Sequence, residues 1–87
     1  MDFDWDPAKA SANVAKHRVD FEWAIGVFDD PWAIDRDELA EGEDRYNRIG
    51  MVANRLLVVT YTWRGETCRI ISARLARSQE RRMYHEA

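Results

Sequence analysis

The fold is decided by residues 55–73, which read RLLVVTYTWRGETCRIISA. Residues 55–63 are rich in apolar and β-branched side chains, a pattern typical of a central strand. The turn residues Arg64-Gly65-Glu66 predict a hairpin to a second strand at residues 67–73. The only cysteine, Cys68, lies in this second run and is expected to be a small core residue rather than a nucleophile. These residues predict the centre of an antiparallel sheet.

The other elements are predicted outward from this hairpin by apolar periodicity and by helix-start signals. They comprise a strand at residues 3–5, a helix at 8–17 begun by Asp6-Pro7, a helix from a cap at Asp20 to residue 29, a short strand at 32–35, a loop at 36–44, a strand at 45–53, and a last helix at 79–86 capped by Ser78. The resulting order is β-α-α-β-β-β-β-α. It predicts a single α+β domain over residues 1–87, in which an antiparallel sheet packs with the N-terminal helices and a short C-terminal helix.

Charge is divided between the two halves of the chain. Residues 1–44 hold four basic and thirteen acidic residues, a net charge of −9, whereas residues 45–87 hold nine arginines, no lysine and three acidic residues, a net charge of +6. The planar guanidinium of arginine matches phosphate in a bidentate manner. The basic half therefore predicts a phosphate-binding surface. The alternative is that these arginines form solvated faces paired with the acidic half.

Composition excludes several classes of protein. The chain is 46% hydrophobic and 33% charged, which is typical of a folded domain rather than a disordered one. It has no signal-peptide pattern and no apolar run approaching the ~20 residues of a membrane span, so we expect a cytoplasmic protein. A single cysteine excludes an internal disulfide, and no metal-ligand motif is present, so we expect neither a metal nor a cofactor.

Candidate functional residues gather in the last hairpin and the last helix. Strand alternation predicts that Arg69 shares a face with Ala73, and that Ile70 shares the other face with Arg74. Helical spacing places Arg77, Arg81, and either Tyr84 or His85 on one stripe of the last helix, with Glu80 one turn before Tyr84. Arg64 lies at the hairpin tip. The alternative is a solvated helix face that contains a Glu-Arg pair.

His17 is a second type of candidate, because its ionisation range suits a general acid or base near neutral pH. It lies in Lys16-His17-Arg18, at the predicted end of the first helix. Cations at a helix C-terminus are also stabilised by the helix dipole, so a purely structural account of this cluster exists.

Three segments of the chain resemble the BrnT family of type II toxin–antitoxin toxins. They read FDWDPAKASANVAKHRVDFEWAIGVFDDP at residues 3–31, LLVVTYTWRG at 56–65 and RIISARLARSQERRMYHE at 69–86. Residues 32–55 match only loosely. One departure is Arg18, because the family commonly has a glycine after Lys-His, where a glycine suits a helix C-cap.

The resemblance implies a RelE-like fold and a ribonuclease that arrests translation by cutting RNA. It also implies a BrnA-like antitoxin whose ribbon-helix-helix part binds operator DNA, so that toxin and antitoxin together repress their own operon. RNA is then expected on the arginine-rich half, and a two-fold toxin–antitoxin assembly is expected through antitoxin dimerisation.

Metal-independent RNA cleavage needs a base for the 2′-hydroxyl, cations for the phosphorane and an acid for the leaving oxygen. Glu80 or His17 is the candidate base, and Tyr84 or His17 the candidate acid. The candidate transition-state cations are Arg64, Arg74 and Arg81. Further RNA contacts are expected from Lys16, Arg69, Arg77 and Arg82. The alternative function is a noncatalytic binding module, or an inactivated toxin, whose basic face docks an acidic partner segment.

Overall fold

A computed structural model describes residues 1–38, 42 and 44–86. Three α-helices, one 3₁₀ helix and five strands follow each other within these residues. They are β1 (Asp2–Trp5), α1 (Pro7–His17), α2 (Phe21–Ala24) with the 3₁₀ helix Ile25–Asp29, β2 (Ile34–Glu38), β3 (Arg45–Val52), β4 (Arg55–Arg64), β5 (Thr67–Leu75) and α3 (Ser78–Glu86). The predicted α+β class and the predicted element order are confirmed.

The five strands form one sheet in the order β1-β5-β4-β3-β2. Strand β4 is central, as its apolar run predicted, and it pairs antiparallel with both β3 and β5. Strand β2 is antiparallel to β3, but β1 is parallel to β5. The expectation of a purely antiparallel sheet is therefore wrong for β1, because no hairpin joins β1 to β5 and fixes its direction.

Helix α1 begins and ends as its sequence predicts. The Asp6 side chain caps it by accepting a hydrogen bond from the Ala8 N–H at 2.8 Å, and Pro7 occupies the first turn. At the other end Arg18 adopts a left-handed backbone with a φ of 60°, and its N–H bonds to the Val14 carbonyl at 2.9 Å. Arg18 thus makes the cap that a glycine makes more readily.

The second helical segment is shorter as an α-helix than predicted. Asp20 caps it by accepting from the Glu22 N–H, as expected, but the α-helix spans only Phe21–Ala24 and continues as the 3₁₀ helix Ile25–Asp29. Gly26 lowers the local helix propensity. A Cβ at Gly50 of β3 would lie 3.0 Å from the Val27 Cβ. The absence of a side chain at Gly50 therefore allows the 3₁₀ helix to pack closely against the sheet.

Strand β2 starts and ends later than predicted. It occupies Ile34–Glu38, so Arg36, Asp37 and Glu38 belong to a strand and not to the predicted loop at 36–44. Pairing with β3, from Ile34 opposite Ile49 to Glu38 opposite Arg45, overrides the low strand propensity of these charged residues. Residues 39–41 and 43 of the predicted loop lie outside the described residues.

A bulge in β5 changes which of its side chains share a face. Thr60 pairs with Ser72 but Tyr61 pairs with Ile70, so Ile71 is an extra residue opposite this step. Cys68, Ile70 and Ala73 consequently belong to the same buried cluster. The predicted alternation is wrong beyond Ile70, because the bulge resets the parity that a regular strand would keep.

The two faces of the sheet are covered differently. On the first face, α1, α2 and the 3₁₀ helix enclose the main core, whose buried members are Val19, Phe21, Ala24, Val27, Leu57, Val59, Tyr61, Cys68, Ile70 and Ala73. On the second face, α3 covers a smaller cluster of Ile49, Leu56 and Val58 through Met83 and Tyr84. The arginines of β5 lie on this second face, because Arg74 is opposite Val58 and Arg69 is opposite Thr62.

Candidate functional site

Polar side chains continue along the second face beyond the part that α3 covers. Asn47, Thr60, Thr62, Arg69 and Ser72 occupy it, and we call these five residues the polar face. Thr60 donates to the Asn47 side-chain oxygen at 2.6 Å, so cross-strand hydrogen bonds order the surface. This arrangement places hydroxyl, amide and guanidinium groups beside α3.

The polar face ends at an ion pair between β5 and α3. The Arg74 guanidinium donates to both Glu80 carboxylate oxygens, at 2.7 Å to Oε1 and 2.5 Å to Oε2. Glu80 is only 6% exposed, and Arg36 of β2 approaches its Oε2 to 3.6 Å. We call Arg36, Arg74 and Glu80 the arginine cluster. It joins three elements that are distant in sequence.

Glu80 also starts helix α3. Its Oε1 accepts from the Arg77 N–H at 2.8 Å, which satisfies one of the free donors at the helix start. This is the reach-back half of a capping box. The predicted cap, Ser78, is instead the first helical residue. Glu80, and not Ser78, caps the helix because its longer side chain reaches both the Arg77 N–H and Arg74.

The electrostatics of the arginine cluster do not favour Glu80 as a base. The hydrogen bonds from Arg74 lower the pKa of Glu80 to about 2, although burial alone would raise it. A carboxylate with so low a pKa is a weak proton acceptor near neutral pH. Glu80 instead fixes the orientation of Arg74, whose own pKa is raised by the same hydrogen bonds.

The structure gives Tyr84 a different place from the one expected. Its hydroxyl donates to Asp30 Oδ2 at 2.6 Å, and this hydrogen bond, with burial, raises the pKa of Tyr84 to about 12. A phenol in this state releases its proton less readily than a free tyrosine. Tyr84 therefore fastens α3 to the segment before β2, and an acid role for it is not favoured.

His17 is the last residue of α1. Burial is the largest cause that lowers its pKa, followed by the positive charges of Lys16, Arg74 and Arg77. A pKa lowered from the usual 6.5 favours the neutral imidazole, which is the form that can accept a proton.

Arg64 and Arg69 are not brought to the arginine cluster, whereas Arg77 contacts it through its backbone N–H. Arg64 is opposite Thr67, whereas Arg74 is opposite Val58, so the two arginines lie six residues apart along β4. That separation is about 20 Å at the usual strand rise. Arg69 pairs with Asp4 at 3.4 Å. The side chains of Lys16, Arg77, Arg81 and Arg82 are exposed.

Two arginines that form ion pairs in the structure, Arg36 and Arg48, were not among the candidate residues predicted from the sequence. Arg36 was assigned to a loop, and only the pairing of β2 with β3 brings it to Glu80. Arg48 lies on the first face, where it holds Asp35 in a bidentate pair at 2.9 and 2.6 Å and lies 4.6 Å from the Phe28 ring centre. The Arg48–Asp35 pair and the Arg69–Asp4 pair show that part of the charge split is used to join the two halves of the chain.

Residues 1–38, 42 and 44–86 contain neither a candidate metal site nor a candidate membrane-spanning helix. No group of three or more His, Cys, Asp or Glu side chains there is arranged to hold a metal ion. No helix in the same residues has the length and apolar character that a membrane crossing needs. Cys68 is fully buried, and burial raises the pKa of its thiol to about 11, in agreement with a core role.

Comparison with known proteins assigns the chain to a family. A search of curated proteins finds no match. A family model described as "Ribonuclease toxin, BrnT, of type II toxin-antitoxin system" matches residues 5–80, which include β1 in part, both N-terminal helices, the remaining four strands and the start of α3 through Glu80. Because the match covers most of the sequence, the resemblance seen in the sequence motifs is confirmed: this chain belongs to the BrnT family of ribonuclease toxins of type II toxin–antitoxin systems.

Proposed function

We propose that this chain is a metal-independent endoribonuclease that arrests translation, with the arginine cluster as its cleavage centre. The observation that carries the proposal is the bidentate Arg74–Glu80 pair, which holds a cation in one orientation on the second face. Arg74 and Arg36 both remain partly exposed, so a phosphate can approach them. A preorganised guanidinium stabilises developing charge on a phosphorane without reorganising during the reaction.

The reaction we propose starts at the 2′-hydroxyl of the RNA itself. Its oxygen attacks the adjacent phosphorus while the P–O5′ bond breaks, which leaves a 2′,3′-cyclic phosphate and a 5′-hydroxyl. Arg74 and Arg36 stabilise the charge on the nonbridging oxygens, and Glu80 is a positioning residue for Arg74. His17, whose pKa is lowered by burial and by the charges of Lys16 and Arg74, accepts the proton of the 2′-hydroxyl, and a solvent water supplies the proton of the leaving O5′.

Purified protein, freed of antitoxin, tests this function on RNA in the presence of EDTA. We expect cleavage that persists with the chelator and yields 2′,3′-cyclic phosphate ends. Arg74→Ala removes one transition-state contact, which should cost about 2–4 kcal/mol, or roughly 30- to 1,000-fold in rate. Activity that disappears with EDTA and returns with Mg²⁺ contradicts the mechanism.

The matched control is Arg55→Ala. Arg55 also belongs to the basic half, but it lies over the Trp23 ring, at 5.7 Å from its centre, and away from the arginine cluster. We expect this variant to keep its activity. His17→Ala should flatten the pH dependence of cleavage near neutral pH, whereas a His17 that only closes the helix would change stability and leave the pH profile unchanged.

A type II toxin has an antitoxin partner, and we propose that this partner is BrnA-like, with a ribbon-helix-helix part that binds operator DNA. Through it the pair would form a two-fold assembly that represses its own operon. The exposed arginines of α3 support an electrostatically steered approach. The association rate should fall as salt rises, and Arg81→Glu with Arg82→Glu should lower it more than Arg55→Glu does. An association rate indifferent to salt and to both changes contradicts this approach.

A further inference from the structure

A cleft separates the segment before β2 from the C-terminal end of α3. It encloses about 490 Å³ and is lined by Pro31, Trp32, Ala33, Ile34, Tyr84 and His85. Its volume is in the range of about 300–1,000 Å³ that is usual for ligand pockets. Trp32 is 76% exposed, so the free protein leaves a large apolar ring in water beside two further rings. An exposed indole at the edge of a cleft offers a flat apolar face on which another ring can stack.

The walls of this cleft are held in place by one carboxylate, that of Asp30. Its Oδ1 accepts from the Trp32 backbone N–H at 2.9 Å, while its Oδ2 accepts from the Tyr84 hydroxyl at 2.6 Å and from the Met51 N–H at 2.8 Å. Asp30 therefore fixes the Trp32 backbone and the Tyr84 hydroxyl relative to β3. A binding site built in this way orders few groups when its ligand arrives.

One wall of the cleft lies close to Arg36 of the arginine cluster. Ile34, in the wall of the cleft, and Arg36 lie on the same face of β2, two residues and thus about 7 Å apart. The Arg36 guanidinium also contacts the Met83 sulfur at 3.7 Å, directly before Tyr84 in α3. An RNA strand with a phosphate at Arg36 and Arg74 therefore has a neighbouring nucleotide within reach of the cleft.

We propose that this cleft binds one nucleobase of single-stranded RNA, next to the phosphate that is cleaved, by stacking it on Trp32. This inference rests on the proposed ribonuclease function and adds a subsite to it. Every nucleobase has a π face, so an indole ring stacks with any of them. The neighbouring arginines favour RNA over an apolar antitoxin segment as the occupant, because Arg36 and Arg74 supply partners for the phosphate next to the bound base.

Binding is tested with a 2′-O-methyl RNA oligonucleotide that carries 2-aminopurine in place of one adenine. Such RNA lacks the nucleophilic hydroxyl, so it is bound without being cleaved, and the fluorescence of 2-aminopurine falls when it stacks. We expect quenching by the native protein and about 5- to 150-fold weaker binding by Trp32→Ala, the usual effect of losing one stacking contact. Trp32→Phe keeps a ring and should recover much of this affinity.

The matched control is Trp63→Ala. Trp63 is also exposed, at 43%, but it lies opposite Cys68 near the tip of the β4–β5 hairpin. This variant should bind and quench like the native protein. Because both indoles are exposed, both alanine variants should fold, which circular dichroism and thermal unfolding verify.

The outcomes separate this inference from the proposed function. Trp32-dependent quenching without cleavage of unmodified RNA supports the base subsite and contradicts the ribonuclease mechanism. Cleavage and oligonucleotide binding that are unchanged in Trp32→Ala overturn the subsite while leaving the ribonuclease in place. Oligonucleotide binding unchanged in Trp32→Ala, together with weakened binding of the antitoxin, overturns the inference in favour of an antitoxin-docking cleft.

Discussion

The two faces of the sheet hold their helices by different means. On the first face, α1 is anchored by the neutral side chain of Asn13, which donates to the Val19 and Ala73 carbonyls at 2.9 and 2.8 Å and accepts from the Ala73 N–H at 3.1 Å. On the second face, α3 is anchored by the charged Arg74–Glu80 pair. The first face also buries the larger apolar cluster.

This difference separates stability from chemistry. The first face is stabilised mainly by apolar burial, whose strength does not depend on pH. The second face buries a smaller apolar cluster. The Glu80 carboxylate that anchors α3 there also holds the Arg74 guanidinium in one orientation. We therefore expect substitutions on the first face to act on folding, and substitutions at the arginine cluster to act on both activity and the attachment of α3.

The largest effect on stability is expected from Leu57→Ala on the first face. Leu57 is fully buried in the main core, so this change should lower the free energy of unfolding by about 2–5 kcal/mol. Its neighbour across the strands, Leu75, is 51% exposed, and Leu75→Ala should stay within about 0.5 kcal/mol. Urea unfolding measures both. If the two variants lost equal free energy of unfolding, the first face would not be the principal core.

The next effect is the pH dependence of the second face. The pKa of Glu80 is lowered from 4.5 to about 2, so its contribution is fully present above pH ~4.5 and is lost as the pH falls toward 2. Glu80→Gln should therefore reduce stability by on the order of 2–3 kcal/mol at pH 7, with the difference from native protein shrinking below pH ~4.5. Thermal unfolding across pH measures it.

The control for Glu80 is Glu66→Gln, at the exposed turn between β4 and β5. We expect this variant to unfold like the native protein at pH 7. If the stability difference between Glu80→Gln and the native protein stays constant from pH 7 to pH 3, the carboxylate charge does not anchor α3.

A smaller effect is expected from the neutral anchor of α1. Asn13→Ala leaves the buried Ala73 N–H and the Val19 carbonyl without this partner, which should cost about 1–3 kcal/mol at every pH from 4 to 8. Lys9→Ala, on the exposed side of the same helix, should cost little. Denaturant unfolding at two pH values measures this loss. If the free energy of unfolding lost in Asn13→Ala changes with pH, the contrast with Glu80 is contradicted.

The smallest effect is a gain. Arg18 holds a left-handed backbone with a φ of 60°, which glycine adopts without the steric penalty of a Cβ. Arg18→Gly should raise the free energy of unfolding by about 0.5–1 kcal/mol, or Tm by several degrees. Arg55→Gly, in β4, should instead destabilise. A loss of stability in Arg18→Gly would show that the arginine side chain contributes more than the backbone cap costs.

The sequence by itself determined the elements whose signals are local. The caps at Asp6 and Asp20, the central position of β4 and the hairpin to β5 were all predicted, because capping side chains, β-branched runs and turn residues act within a few positions of themselves. The family was also determined by sequence, since its motifs are contiguous.

Only the tertiary structure decided which of the candidate residues meet. The bulge at Ile71 placed Arg69 and Arg74 on the same face, against regular alternation. Strand pairing carried Arg36 out of its predicted loop to Glu80, while strand length kept Arg64 about 20 Å away from Arg74. Hydrogen bonds from Arg74 lower the pKa of Glu80, which favours the proposed positioning role over that of a base. Register and through-space charge depend on residues far apart in the chain, so no local pattern encodes them.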